Sequence, residues 1–120
     1  MWVSRERFQE LVERAIEELP EFFKEKLENI AIVIEDVPPP DIQAKYPGQM
    51  LLGLYQGVPL TERSVWSQYP YPDVISIYQR NIEAICRSEE EIVQQVRETV
   101  MHEIGHYFGM DEEKLRRLGL

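Results

Sequence analysis

The sequence has little of the residue types that most often build disulfides and metal sites, with one cysteine and two histidines in 120 residues. A single Cys86 cannot form an intramolecular disulfide, which indicates a reducing compartment. Its ordinary role is that of a small buried thiol. If both histidines bind metal, none remains to activate Cys86 as a nucleophile.

Long apolar runs are also missing. No stretch approaches the roughly 20 apolar residues that a membrane-spanning helix needs. The first ten residues, MWVSRERFQE, carry charges from Arg5 onward and lack the apolar segment of a signal peptide. We therefore expect a cytoplasmic protein that does not bind membranes.

Positive charge is scarce, with 13 Lys and Arg against 22 Asp and Glu and a formal net charge of -9. Nucleic acid is excluded as a main partner, because binding phosphates requires a basic face. An acidic cleft would favour basic or neutral peptides. The length and the hydrophobic content of 43% are those of an ordinary globular protein, which predicts a single domain over residues 1–120.

Apolar patterning predicts helices around a small sheet. Ser4 is a plausible N-cap for a first helix, whose apolar residues recur at helical spacing. Residues 41–49 have the composition of a loop, and a turn or short helix is expected at 81–86. Short apolar segments, two of them β-branched, predict three strands, at residues 30–35, 50–55 and 74–78.

A longer helix is predicted from a capping box at Ser88 and Glu91 to about Phe108. One side of this helix is apolar and faces the core, whereas its two histidines lie on roughly the opposite side. Gly105 lies within the helix, where glycine costs about 1 kcal/mol relative to alanine. We infer that another part of the chain packs closely against it.

The two histidines belong to the motif HEIGH at residues 102–106. His102 and His106 are four residues apart, so both imidazoles lie on one face of a helix and can bind the same ion. Glu103 points away from that line but stays near the ion. This arrangement is typical of zinc hydrolases, in which the metal acidifies a water and the carboxylate takes its proton.

Catalytic zinc usually has a third protein ligand. Gly109 tolerates a positive φ, so it can end the helix and turn the chain back toward the histidines. The first acidic residues after this turn are Asp111, Glu112 and Glu113. The thiolate of Cys86 is an alternative ligand, although it lies upstream of the helix.

The sequence HEIGHYFGMDEEKL resembles the short bacterial zincin-like metallopeptidases, or minimal zincins, whose extended motif HExxHxxGxx is followed by Asp or His. The segments GLYQGVPLTERS at 53–64, PDVISIY at 72–78 and EEIVQQVRETVMHEIGHYFG at 90–109 are also similar to that family. The resemblance implies an α+β, zincin-like fold, in which a short mixed β-sheet packs on an N-terminal helix and an active-site helix carrying HExxH. It further implies an edge strand that borders the cleft, a role that we assign to VISIY at 74–78.

The resemblance also implies the site roles: His102 and His106 bind Zn²⁺, Glu103 is the general base, and Glu112 is the third ligand. Because the family usually has Asp or His at that place, Asp111 is the alternative. The expected activity is hydrolysis of a peptide or protein substrate. The rival hypotheses are a metal-binding but catalytically weak or inactive module that binds peptides or proteins, and a metal-free structural domain. Candidate oxyanion donors are Tyr107, Tyr78, Tyr71 and Arg63.

Overall fold

The computed structural model describes residues 1–57 and 73–120. It has six helices and three strands over these residues, with a 3₁₀ turn at Leu27–Asn29. In chain order they are α1 (Arg5–Glu17), α2 (Glu21–Lys26), β1 (Ile30–Glu35), α3 (Pro40–Ala44), β2 (Gly53–Gln56), β3 (Asp73–Tyr78), α4 (Gln79–Ile85), α5 (Glu89–Tyr107) and α6 (Glu112–Leu118).

The described strands form one mixed sheet in the order β1-β3-β2, as the predicted fold class requires. β1 pairs with β3 in parallel, and β2 pairs with β3 antiparallel. The prediction that VISIY is the edge strand is wrong, because β3 has a partner on each side. Ser76 is buried together with Ile75 and Ile77, so β3 is covered on both faces as central strands are. Among the described strands, β2 is the edge strand nearest α5.

α1 and α5 form the main helical layer. The Ser4 hydroxyl accepts a hydrogen bond from the Arg7 amide at 3.0 Å, which confirms the predicted N-cap. The core lies between the two helices and the sheet, and in α1 its members are Phe8, Leu11, Val12 and Ala15. Ion pairs from Arg7 to Glu89 and from Arg14 to Glu90 join the exposed sides of α1 and α5.

Some boundaries differ from those predicted. The segment 41–49 was expected to be a loop, but α3 occupies its first part because Pro40 fits the first turn of a helix. β2 begins at Gly53 rather than at residue 50, and α4 begins at Gln79. Residues 50–52 have the apolar composition of the predicted strand, but β2 does not include them.

α5 agrees closely with its prediction. The Ser88 hydroxyl accepts from the Glu91 amide at 3.1 Å and caps the first turn. The predicted apolar face is buried, with Ile92, Val93, Val96, Val100 and Ile104 in the core. The helix ends at Tyr107, and Gly109 follows with φ of 81°, the left-handed conformation expected of a glycine that turns the chain. No helix of the described residues is long and apolar enough to cross a bilayer.

Candidate active site

Three side chains meet where α5 and α6 approach each other. His102 and His106 lie on successive turns of α5, with ring centroids 5.0 Å apart. Oε1 of Glu112, at the start of α6, lies 3.1 Å from Nε2 of His102 and 2.8 Å from Nε2 of His106. One potential ligand atom from each residue lies within 4.8 Å of the others. The structure therefore brings two imidazoles and one carboxylate to a single point.

The other ring nitrogen of each histidine contacts a backbone oxygen. Nδ1 of His106 lies 3.0 Å from the Met110 oxygen, and Nδ1 of His102 lies 3.3 Å from the Leu120 oxygen. Because a backbone oxygen can only accept, each Nδ1 carries the proton and donates it. In the neutral ring Nε2 then keeps its lone pair, which is the state that a metal ligand needs.

The two candidate third ligands have different partners. The Asp111 carboxylate accepts from the Lys114 amide at 2.8 Å and is the N-cap of α6. Glu112 begins the helix, and its side chain reaches back to the histidines. Sequence spacing left both residues open, and the structure places only Glu112 in the cluster.

Glu103 lies beside the cluster and is almost fully buried, with 6% of its surface exposed. Its Oε1 accepts from the Tyr55 amide of β2 at 2.8 Å, and its Oε2 lies 3.9 Å from Nε2 of His102. Burial raises the pKa of Glu103, although the Tyr55 amide and the two histidines oppose this effect. One oxygen is thus fixed by the sheet while the other faces the histidines.

The charges of the cluster are strongly coupled. Burial opposes protonation of His102, but the hydrogen bond to Glu112 and the charges of Glu103 and Glu112 outweigh it, so the pKa of His102 is raised. Burial likewise opposes ionisation of Glu112, yet the two histidines lower its pKa below the usual range. An anionic oxygen this close to two imidazole nitrogens needs a proton or a cation between them. Two imidazoles and a carboxylate are also the donor set of thermolysin-type catalytic zinc, so these residues fit that ion.

A groove runs along β2 past the cluster. It consists of two adjoining cavities of about 640 and 600 Å³, and both are lined by Glu103 and Glu112. Asp111 lies at one end and Glu98 at the other. None of the described residues that line either cavity is Lys or Arg. Over the described residues, the lining of the groove is therefore acidic on both sides of the cluster.

The remaining candidates lie elsewhere. Cys86 is buried just after α4 and is not part of the cluster, and burial raises the pKa of its thiol, which disfavours the reactive thiolate. Tyr78 is fully buried in the core. Tyr107 is buried and packs edge-on against Tyr55, with ring centroids 5.9 Å apart. Tyr71 and Arg63 fall outside the described residues.

Sequence reasoning missed several groups around the site. Tyr46 and Gln49 line both cavities, yet they belong to no motif and lie within the segment 41–49 that was expected to be loop. The Tyr55 amide and the backbone oxygens of Met110 and Leu120 act through the backbone, so no side-chain pattern marks them. The general rule that a ligating histidine donates its second N–H would have predicted such carbonyls, but not which residues supply them.

Comparisons with known proteins agree with this geometry. A search of curated proteins finds no match. A solved structure, a conserved hypothetical protein from T. thermophilus, is similar with 29% sequence identity and a TM-score of 0.57, over 88% of this chain and 94% of that chain. The family model described as zincin-like metallopeptidase matches residues 27–120, which include all of the cluster. The chain belongs to the zincin-like metallopeptidase family.

Proposed function

We propose that this protein is a zinc-dependent metallopeptidase that hydrolyses peptide bonds. The observation that carries the proposal is the convergence of His102, His106 and Glu112 within 4.8 Å of one another beside the buried Glu103. His102, His106 and Glu103 each have a hydrogen-bond partner outside the cluster, at Leu120, Met110 and Tyr55, and such preorganisation favours catalysis. Family membership supports the same conclusion.

His102 and His106, through Nε2, and Glu112, through Oε1, are the residues that would hold the ion. Zinc bound by such ligands supplies Lewis acidity, which lowers the pKa of water and polarises a carbonyl group. The backbone oxygens of Met110 and Leu120 keep the two rings in the tautomer that this role requires. The three ligands together carry one negative charge, so a divalent ion leaves the site positive and suited to a developing oxyanion.

Glu103 is the general base. Its Oε1 is held by the Tyr55 amide, and its Oε2 faces the histidines and is the oxygen that can take a proton from the attacking water. Because burial raises the pKa of Glu103, the carboxylate is a stronger base than an exposed glutamate and can afterwards return the proton to the leaving amine.

We place the substrate along β2. The Leu52 carbonyl accepts a hydrogen bond from the Tyr78 amide, so the backbone groups of Leu52 face β3. The Tyr55 amide points the other way and donates to Glu103. Backbone groups alternate along a strand, so those of Gly53 and Tyr55 both face the groove. An extended peptide can bind there by adding to the sheet through the Gly53 backbone and the Tyr55 carbonyl, because the Tyr55 amide already donates to Glu103. Its scissile bond would then lie between Glu103 and the histidines.

The test is the substitution Glu103→Gln, which keeps the shape of the side chain and removes the base. We expect it to retain about one zinc per chain by elemental analysis and to lose on the order of 10²- to 10⁴-fold in peptide cleavage. Glu113→Gln, which neutralises an exposed carboxylate next to Glu112, is the matched control and should change neither quantity.

Full cleavage by Glu103→Gln would remove this residue from the mechanism. Stoichiometric zinc with no cleavage across a diverse peptide library would instead favour the metal-binding, peptide- or protein-recognising module. Purified and zinc-incubated protein that both lack bound metal would support the structural domain.

A further inference from the structure

We propose that the contact between Leu115 and Gly105 positions the metal ligands, because it places α6 so that both ends of this helix reach the histidines. Leu115 and Gly105 are then positioning residues, since neither touches the substrate or the ion. The positioning role rests on the proposed function, whereas the contact between the two residues is an observation of packing.

Gly105 leaves room for Leu115. A Cβ added at Gly105 would lie 2.2 Å from Cδ2 of Leu115, well inside van der Waals contact, so the two residues pack with no room for a larger side chain unless Leu115 moves. Leu115 is completely buried and is the buried side chain of α6. A helix of seven residues is unstable on its own, so its position depends on tertiary packing. Here that packing is Leu115 against the middle of the HEIGH motif.

The first end of α6 carries the carboxylate ligand. Glu112 lies three residues before Leu115, so the two side chains lie on neighbouring parts of the same helix face. The Asp111 cap fixes where the helix starts. With Leu115 in contact with Gly105, Oε1 of Glu112 lies at 2.8 and 3.1 Å from the two Nε2 atoms.

The second end of α6 carries the backbone oxygen that contacts His102. Gly119 adopts φ of 76°, and the Leu120 amide donates back to the Leu115 carbonyl at 2.9 Å. This turn directs the Leu120 oxygen to Nδ1 of His102. The position of Leu115 therefore sets the orientation of one imidazole as well as that of the carboxylate.

The end of α5 repeats the same geometry. After Gly109 the Met110 amide donates to the Gly105 carbonyl at 3.1 Å, and the Met110 carbonyl accepts from His106. Both turns are of the Schellman type, with a left-handed glycine followed by a residue that bonds back five positions. Gly105 and Leu115 thus contact each other and also supply the carbonyls to which the two turns bond. Glu112, the Met110 carbonyl and the Leu120 oxygen are therefore each linked to this pair, by the position of α6 or by a backbone hydrogen bond.

The experiment measures zinc affinity by competition with a chromogenic chelator, together with thermal stability of the metal-free protein. Leu115→Ala should weaken zinc binding by about 10- to 100-fold, the usual effect of losing groups that orient metal ligands. Leu11→Ala removes an equally buried leucine of α1 and is the matched control. It should lower the melting temperature while leaving zinc affinity within about twofold of wild type.

A size swap tests the contact even if Leu115→Ala does not fold. Gly105→Ala alone should weaken zinc binding, although alanine favours helix more than glycine does. Gly105→Ala combined with Leu115→Val, which shortens the facing side chain, should recover much of the affinity. Unchanged affinity in Gly105→Ala, or no recovery in the double variant, would overturn the proposal.

The outcomes separate this inference from the proposed function. Wild-type protein that binds zinc but cleaves no peptide would contradict the peptidase while leaving the positioning role testable by affinity, and Leu115→Ala would still decide it. If the wild-type protein cleaves peptides and Leu115→Ala binds zinc with unchanged affinity, only the positioning role is contradicted. A wild-type chain that binds no divalent ion would overturn both.

Discussion

Asp111 and Glu112 are adjacent carboxylates with different hydrogen-bond partners, one a backbone amide and the other a pair of imidazoles. Glu112→Gln should therefore weaken zinc binding strongly, because an amide oxygen is a poorer zinc ligand than a carboxylate. Asp111→Asn should bind zinc as wild type does, since Asn caps helices about as well as Asp. Isothermal titration with zinc compares the two, and a larger loss in Asp111→Asn would identify Asp111 as the ligand.

The pair of His102 and Glu112 should make the stability of the metal-free protein depend on pH. The raised pKa of His102 adds stability that is complete below the unfolded value of about 6.5 and is lost as pH rises through the folded value. The lowered pKa of Glu112 adds stability that is complete above its unfolded value of about 4.3 and is lost as pH falls through the folded value. The contribution of the pair is therefore greatest between about pH 4.3 and 6.5.

Thermal melts in a chelator, taken across pH 3 to 9, would measure this dependence. In Glu112→Gln, the fall of melting temperature that the pair causes at low pH and at high pH should become shallower. Glu113→Gln should keep the wild-type dependence of melting temperature on pH. A Glu112→Gln profile that matches wild type would show that the pair does not form in solution.

At the scale of single residues, sequence was most informative where chemistry depends on local spacing. The histidines of HEIGH share a face because any helix places i and i+4 together. The choice between Asp111 and Glu112 depends on where α6 begins, and the structure places Asp111 at its N-cap. The spacing of acidic residues after Gly109 does not encode that position.

Among the secondary-structure elements, Gly53 sets the spacing between β2, α5 and β3. A Cβ at this position would lie 2.6 Å from Cγ2 of Thr99 and 2.9 Å from the Ser76 carbonyl. Gly53→Ala should therefore destabilise the fold by about 1–3 kcal/mol through overpacking. By moving β2 it should also lengthen the hydrogen bond from the Tyr55 amide to Glu103.

Urea denaturation measures the stability, and cleavage of a reference peptide reports on Glu103. In the double variant Gly53→Ala with Thr99→Ser, the new methyl group no longer meets Cγ2 of residue 99 but still meets the Ser76 carbonyl. The double variant should therefore recover only part of the lost stability. Thr99→Ser alone is the control. A Gly53→Ala protein as stable as wild type would mean that β2 can shift without cost.

The strands show why element type was predictable and element position was not. Segment 74–78 is β-branched and apolar, which was enough to predict a strand. Its place in the sheet depends on which strands pair with it, and the segment's own residues do not encode those partners. The edge beside the groove is β2, which the sequence predicted as a strand but not as the edge that borders the cleft. The correction moves the proposed peptide-binding edge from β3 to β2.

At the scale of the whole molecule, the net charge of -9 and the acidic groove should select among substrates. In two matched peptides that differ only by Lys or Glu beside the same cleavage site, the Lys peptide should have the higher kcat/KM, by about tenfold or more at low salt. The difference should shrink as salt rises, because the Debye length falls from about 10 Å at 0.1 M to about 3 Å at 1 M.

Equal cleavage of both peptides at low salt would show that the groove does not discriminate by charge. Glu98→Gln, at one end of the groove and outside the metal cluster, should reduce the preference without changing zinc affinity. Sequence composition alone indicated the overall sign of the charge, whereas only the fold shows that Glu98 and Asp111 flank the cluster.

The shortness of β2 limits what such an enzyme can cut. Four residues at about 3.3 Å each give roughly 13 Å of strand, with the backbones of only Gly53 and Tyr55 turned outward. A target could pair there over just a few residues, and only if that stretch has no helical or sheet partner of its own. Folded domains should therefore resist cleavage until they unfold locally. Unstructured tails, extended loops and denatured chains should be the preferred substrates.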